Sequence, residues 1–431
     1  MFTTLKNAFK VKEIRRKIFI TLGLLVIFRL GCWLPIPGID TTAFGNSIKD
    51  QSFLSLLNSI GGGALASGTF LALGVTPYIN ASIIMQLLTF AIPKLQRISQ
   101  MGEEGRKKIA KYTKYTALLL SIAQAVGIVV GFSSYIHLNL FGANLPNWLA
   151  CTFVAICLVT GAMFTYWLGE KITEIGVSNG LSILIFVGIL STAGTSLLGA
   201  VTDVVNGNIE GVWNILIFLA VLIAIFGLIV FMDLAERKIQ VQYAKQIKGR
   251  KMYGGQSNFI PIKLLGTGVL PIIFAMTFLS LPQYVMSIFW PTSEAAQWYA
   301  LNLGAGTWPY TIIMGLLILA FAYFTSQMMF NPEDVAKQIQ GNGGFILGIR
   351  PGKPTADHLK KINNRITLFG AIFLAFMAIV PTLVFSFVGG STGLVGAFSA
   401  TGMLIVVSVA LEFNKQLEAQ ILMKNYKGFL K

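Results

Sequence analysis

Charged and titratable side chains are nearly absent from the apolar stretches of this sequence, and that scarcity limits the chemistry the chain can do. Ion-coupled carriers and proton relays place Asp, Glu or His within the membrane, because a moving cation or proton needs a titratable or charged partner there. Here the charged residues inside stretches long enough to span a bilayer are Arg29 and Glu412, both near ends. The two histidines, His137 and His358, fall in loops. Neither an HExxH zinc motif nor a GxSxG nucleophile elbow occurs. GKPT at 352–355 comes nearest to a phosphate loop, but that motif needs glycine where Leu347 stands and Ser or Thr where Pro354 stands. Cys32, Cys151 and Cys157 lie in or beside apolar stretches without metal-ligand spacing. The expectation is no enzyme, no cofactor and no metal. Directional work would draw on a soluble partner or on the membrane potential, and the chain reads as a conduit.

The elements that would form such a conduit follow from composition. Of 431 residues, 55% are hydrophobic and 12% charged, with mean hydropathy +0.71, too little polar surface to coat a soluble globule. Apolar runs of about 20 residues, the bilayer requirement, recur at 18–37, 75–92, 115–133, 148–168, 180–200, 212–232, 266–286, 309–330, 366–388 and 393–413. The expectation is an all-α polytopic membrane protein of ten transmembrane helices. KVKEIRRK before the first run resembles a signal-peptide start, but Arg29 and WLPIPGID offer no small-residue cleavage site, so that run is read as a permanent span.

Lys and Arg cluster before residue 18 (six), in the loops after spans 2 (seven), 6 (seven) and 8 (six), and in the C-terminal tail (four); the loop after span 4 has one. By the positive-inside rule both termini and these loops face the cytoplasm. The net charge of +16 is thus mostly topological, and no direct DNA binding is expected. Five spans on either side of an outer loop permit two inverted-repeat halves, 1–204 and 205–431, with VNGNIEG at 205–211 as hinge. The cytoplasmic loops at about 233–263 and 331–365 exceed what a turn needs and read as contact surfaces.

One stretch fits none of this easily. SIGGGALASGTFLALGVTPYI, Ser59 to Ile79, is apolar, yet holds Gly61, Gly62, Gly63, Gly68 and Gly74. At about 1 kcal/mol of helix propensity per glycine, it makes a poor continuous span. A re-entrant or close-packing glycine segment and a displaceable one both fit these residues.

GGALASGTFLALGVTPYINASIIMQLL, GEEGRKKIAKYTKY, ITEIGVSNGLSILIF, YAKQIKGRKMYGGQSNFIPIK, GVLPIIFA and GFILGIRPGKPT, with FRLGCWLPIPGID near the start, resemble the SecY family of channel subunits of the bacterial Sec translocon. The resemblance covers nearly the whole chain in order. It implies a central hourglass pore and a half-inserted plug helix at about 56–73, including Leu57, Ile60, Gly61, Gly62, Gly63, Ala64, Leu65 and Phe70. It also implies an aliphatic pore ring at Val75, Ile79, Leu181, Ile185, Ile273 and Ile405, apolar side chains that exclude ions yet part around a polypeptide. Valine at 75 is slightly smaller than isoleucine.

A lateral gate between spans 2/3 and 7/8 is implied, and Gln86 and Gln124 are its candidate latches, with static interhelical glue as the alternative. Lys245, Lys248, Arg250, Lys251 and Arg350 would dock the SecA motor or a ribosome, with lipid headgroup contact as the alternative. The resemblance further implies SecE-like and SecG-like membrane subunits, a signal sequence or nascent polypeptide as substrate, and a location in the bacterial cytoplasmic membrane among its lipids. An inverted-repeat secondary transporter, a membrane scaffold without a conduit, and an accessory channel with a restricted clientele are the competing expectations.

Overall fold

The structure is a computed structural model that describes residues 6, 8–41, 44–45, 58, 61–99, 101–136, 139–140, 143–144, 146–205, 210–243, 246–248, 251–253, 257–266, 268, 270–289, 293–304, 307–388 and 400–429. Helices dominate it, beside two short hairpins, β1 (Asn139–Leu140) with β2 (Ala143–Asn144) and β4 (Gln246–Lys248) with β5 (Lys251–Tyr253), and one larger sheet. The helices are α1 (Lys12–Gly31), α2 (Thr76–Ala91), α3 (Pro93–Ser99), α4 (Gly102–Gly131), α5 (Asn147–Ile175), α6 (Gly180–Val205), α7 (Glu210–Leu234), α8 (Leu270–Phe289), α9 (Glu294–Asn302), α10 (Trp308–Met329), α11 (Pro332–Gly341), α12 (Lys353–Val388) and α13 (Ala400–Phe429).

Among the described residues, five helical stretches are long and apolar enough to cross a membrane: 102–131, 147–175, 180–199, 308–341 and 353–380. The bent pair α2 and α3 makes a sixth if counted as one span. Helices α1, α7, α8 and α13 overlap the other expected runs. Large apolar side chains line the outside of these helices, such as Phe19 and Leu30 on α1, Leu119 and Val130 on α4, and Ile372 and Phe376 on α12. A surface of that kind suits lipid rather than water.

Local sequence sets the helix ends. Pro93 disfavours helical backbone at the residue before it, so Ile92 is extended and α2 stops. The chain resumes as α3 after a bend of 106°. Gly102 enters α4 at φ +70°; Glu103 and Glu104 then face the positive end of the helix dipole. Asn331 caps α11, its side chain accepting from the Glu333 amide at 3.2 Å.

The chain divides into two compact units. The first comprises 1–215, 279–307 and 388–431, where α4 packs on α2 and α5, α6 on α5 and α13, and α1 on α5 and α6. Its largest apolar cluster joins Ile36 and Phe44, Leu65 and Leu73, Ile128 and Phe132 of the α4 end, and Val154 and Leu158 of α5.

The second unit comprises 216–278 and 308–387. It contains what the all-α expectation did not anticipate: a three-stranded antiparallel sheet ordered β6–β3–β7, with β3 at Glu236–Tyr243, β6 at Ser257–Lys263 and β7 at Gly344–Ile346. The two long loops at about 233–263 and 331–365 build it together. Ile239 and Val241 alternate inward along β3 and meet Ile262, Ile339, Ile346 and Leu359 in a separate core. Period-two alternation in ERKIQVQY is the physical reason that this loop becomes strand.

Candidate functional site

The glycine-bearing segment 61–75 is a chain of turns, not the helix expected of a plug. Gly62, Gly63, Gly68 and Gly74 all have positive φ, between +53° and +86°. At Gly62, φ +72° and the surrounding space both require glycine: an added Cβ would sit 2.8 Å from Arg29 Nη1 and 3.1 Å from the Gly188 Cα. Leu57 and Ile60, assigned to the same plug, lie outside the described residues.

Glycines on the surrounding helices seat this segment. A Cβ at Gly31 of α1 would lie 2.5 Å from Leu71 Cδ1, and one at Gly161 of α5 only 1.8 Å from the Phe70 carbonyl oxygen. Ala64, Leu65 and Leu71 are fully buried as a result. On the other side the segment bonds the loop after α1: Ile36 N donates to Gly68 O at 3.0 Å and Phe70 N to Leu34 O at 2.9 Å. Asn58 closes its start, accepting from Gly63 N through its carbonyl and from Ala66 N through its side chain, at 2.9 and 2.8 Å. The backbone polar groups of an irregular stretch are thus paired within protein, the condition for tolerating such backbone at membrane depth.

Arg29 touches the same segment. Its Nη1 donates to Gly62 O at 3.4 Å, while its Nη2 donates to Ser191 Oγ of α6. One guanidinium therefore joins α1, the glycine turn and α6.

The family model described as SecY matches residues 69–414. The Protein translocase subunit SecY of Streptomyces coelicolor is 39% identical over 443 residues, all of both chains. That of Staphylococcus carnosus is 39% identical over 438 residues, all of this chain and 99% of its own. The chain belongs to the SecY family. Among solved structures, one concerned with the SecY plug domain superposes at TM-score 0.64 with 20% identity, covering 95% of this chain and 93% of its own. Sec61 in a canine ribosome-channel complex superposes at TM-score 0.58 with 18% identity, covering 93% and 90%. These two likenesses bear on the fold alone.

The remaining positions implied by the family fall as follows. Val75 is buried at the N-cap of α2, with half-buried Ile79 one turn on. In α6, Leu181 is half-buried and Ile185 buried; Leu181 Cδ2 lies where a Cβ on Gly169 of α5 would be 2.5 Å away. Ile405 is buried in α13, which packs on α6. Ile273 is half-buried on α8 in the second unit. Beside Ile79, the Tyr78 ring stacks on Tyr166 of α5 at 4.8 Å, and the Lys114 ammonium sits 5.5 Å over Tyr166. Nothing in the sequence had singled out that trio.

The two glutamines differ from the interhelical latch expected of them. Gln86 Nε2 donates to Ser82 Oγ one turn back in its own helix, at 3.4 Å. Gln124 on α4 is buried, and its Oε1 accepts from no partner among the described residues. The physical reason is reach: Gln86 is turned back along its own helix, and the described residues offer the buried Gln124 oxygen no donor.

Of the docking cations, Lys248 and Lys251 pair across the hairpin of β4 (Gln246–Lys248) and β5 (Lys251–Tyr253). Lys245 and Arg250 lie outside the described residues. Arg350 is exposed between Gly348 (φ +80°) and Gly352 (φ +96°), its carbonyl accepting from Thr355 Oγ1 at 2.8 Å. Sequence reading also missed a buried polar cluster joining α10 to α12. Asn363 Nδ2 donates to Ser326 Oγ at 2.8 Å, and Ser326 and Thr367 hydroxyls bond at 2.7 Å.

Proposed function

We propose that this chain is a protein-conducting channel of the cytoplasmic membrane, passing unfolded secretory polypeptides outward and releasing hydrophobic segments sideways into lipid. The observation that carries this reading is full-length identity of 39% to proteins named translocase subunit SecY. An ion-coupled carrier is not favoured by that match, and the scarcity of Asp, Glu and His in the apolar runs agrees.

In this reading ten spans form two inverted halves, 1–204 and 205–431, around an hourglass pore, with both termini cytoplasmic in accord with the basic-residue distribution. Val75, Ile79, Leu181, Ile185, Ile273 and Ile405 form a dry waist. The glycine segment closes its outer side as a plug of turns. It is displaced without unfolding helices, because its backbone hydrogen bonds run to the loop after α1 and its ties to the helices are side-chain packing, close-packed glycines and the Arg29 guanidinium. The gate opens beside α2 and α4, and the unpaired Gln124 oxygen marks a place where the closed bundle is not optimally satisfied. The β3–β6–β7 sheet, the β4–β5 tip and Arg350 form the cytoplasmic docking face for a SecA-like motor or a ribosome; the canine Sec61 structure is a ribosome complex. SecE-like and SecG-like subunits complete the assembly. The channel itself performs no chemistry and needs no cofactor.

Site-specific crosslinking of a stalled secretory chain tests this directly. Adducts at both Ile79 and Ile273 are expected, and their absence from both would remove the reading. Arg350→Glu should slow motor-driven export several-fold while leaving membrane insertion of the channel intact, measured by export of a reporter and by membrane yield. Equal loss of both would reduce Arg350 to a folding role.

A further inference from the structure

Arg29 is the sole Lys or Arg between Lys17 and Lys49, and it lies two residues from the end of an apolar helix. A cation in such a position is costly and usually has a named partner. Among the described residues no carboxylate pairs with it. Its partners are instead the Gly62 carbonyl, on a turn of the candidate plug, and the Ser191 hydroxyl on α6. Gly188 stands one turn before Ser191 and faces the same turn, so that Gly62 occupies a slot between guanidinium and helix backbone.

The geometry points to Arg29 as a positioning residue that clasps the glycine turn to α6 at rest, and to release of that clasp as a step in plug displacement. The inference rests on the channel reading above. A guanidinium stays charged at any physiological pH and offers five N–H donors in a fixed fork. Release comes by competition for its donors. The group it gives up is a peptide carbonyl, and an extended polypeptide entering from the pore side brings carbonyls of the same chemistry. Exchange of one acceptor for another leaves the cation satisfied throughout, while the freed turn loses its tie to the helix.

The test uses the channel in its membrane complex with two readouts at rest: ion conductance in planar bilayers, and labelling of a reporter cysteine (Ala64→Cys) by a membrane-impermeant maleimide. Ala64 is 1% exposed, so labelling above the background of Cys32, Cys151 and Cys157 reports displacement of the turn. Arg29→Ala should raise both readouts about tenfold, the worth of a charge-assisted hydrogen bond or two. Arg29→Lys should recover part of the seal, and Ser191→Ala should raise both about two- to threefold. Gly62→Ala, which clashes with the guanidinium from the other side, should match Arg29→Ala.

A folded Arg29→Ala channel with both readouts within about twofold of the parent overturns the clasp. If that variant fails to reach the membrane, unchanged readouts in both Ser191→Ala and Gly62→Ala overturn it instead. Loss of the clasp alone leaves polypeptide export by the parent chain intact. Failure of the parent chain to pass any polypeptide would remove the channel reading itself.

Discussion

The glycine segment of the first unit and the β-sheet of the second both interrupt the succession of apolar helices, yet they are held by different means. The sheet has an alternating strand, a core of its own around Val241 and Leu359, and two backbone ladders. The glycine segment has no regular ladder; it is seated by glycines at Gly31 and Gly161, by burial of Leu65, Leu71 and Leu73, by a few hydrogen bonds and by one guanidinium. Two ladders over a core make a platform that keeps its shape. Turns without a ladder are the weaker scaffold, so under the function proposed above this segment is the one suited to leave as a unit, the behaviour expected at the low-stability end of a structure. The difference teaches that one chain builds a ladder-held region and a turn-held region, and the proposed function gives the first to partners and the second to opening.

The sharpest way to break this contrast is at the proposed waist. Replacing Ile79, Ile185 and Ile405 together by Asn should raise resting ion leak tenfold or more, since polar side chains keep a narrow apolar constriction wet; unchanged conductance would deny the waist any part in the seal. Next comes Gly161→Val, which pushes branched carbon into a space ending 1.8 Å short of the Phe70 carbonyl. It should dislodge the segment and cost about 1–3 kcal/mol or more, read by thermal unfolding and by leak. A smaller effect is expected from Val241→Ala in the sheet core, about 1–3 kcal/mol of local stability. Hydrogen exchange at β3 should rise and motor docking weaken while the resting seal is unchanged; a leak here would mean that the two regions are not separable. Smallest is Gln124→Leu. Removing a buried acceptor without a partner should be neutral or stabilising by up to about 1 kcal/mol, and a clear loss of melting temperature would show that the amide is satisfied in the membrane.

The helices were legible because each bilayer crossing demands a long apolar run, and such runs stand out without knowledge of partners. Pro93 and the acidic start of α4 likewise act within one or two turns. The β-sheet was not legible, because β3 pairs with β7 about a hundred residues away, and ERKIQVQY was masked by its charges. The glycine segment stood out by its glycines, but the helix expected over it is a series of turns: Gly62, Gly63, Gly68 and Gly74 take positive φ, and helix propensity alone does not reveal that. Arg29 was visible as an oddity, while its partners, 33 and 162 residues distant, were not. Gln86 and Gln124 show the converse limit, since a polar residue in a span announces a hydrogen bond without saying in which direction it will be made.

The bend of 106° after Ala91 has its own consequence. If α2 runs across the bilayer, the short helix that follows must lie along its surface, and Lys94 and Arg97 on that helix then meet phosphate groups at a fixed height. Such a flange would set how deep α2 sinks, so the vertical level of Val75 and Ile79 would be referenced to the headgroups at that surface.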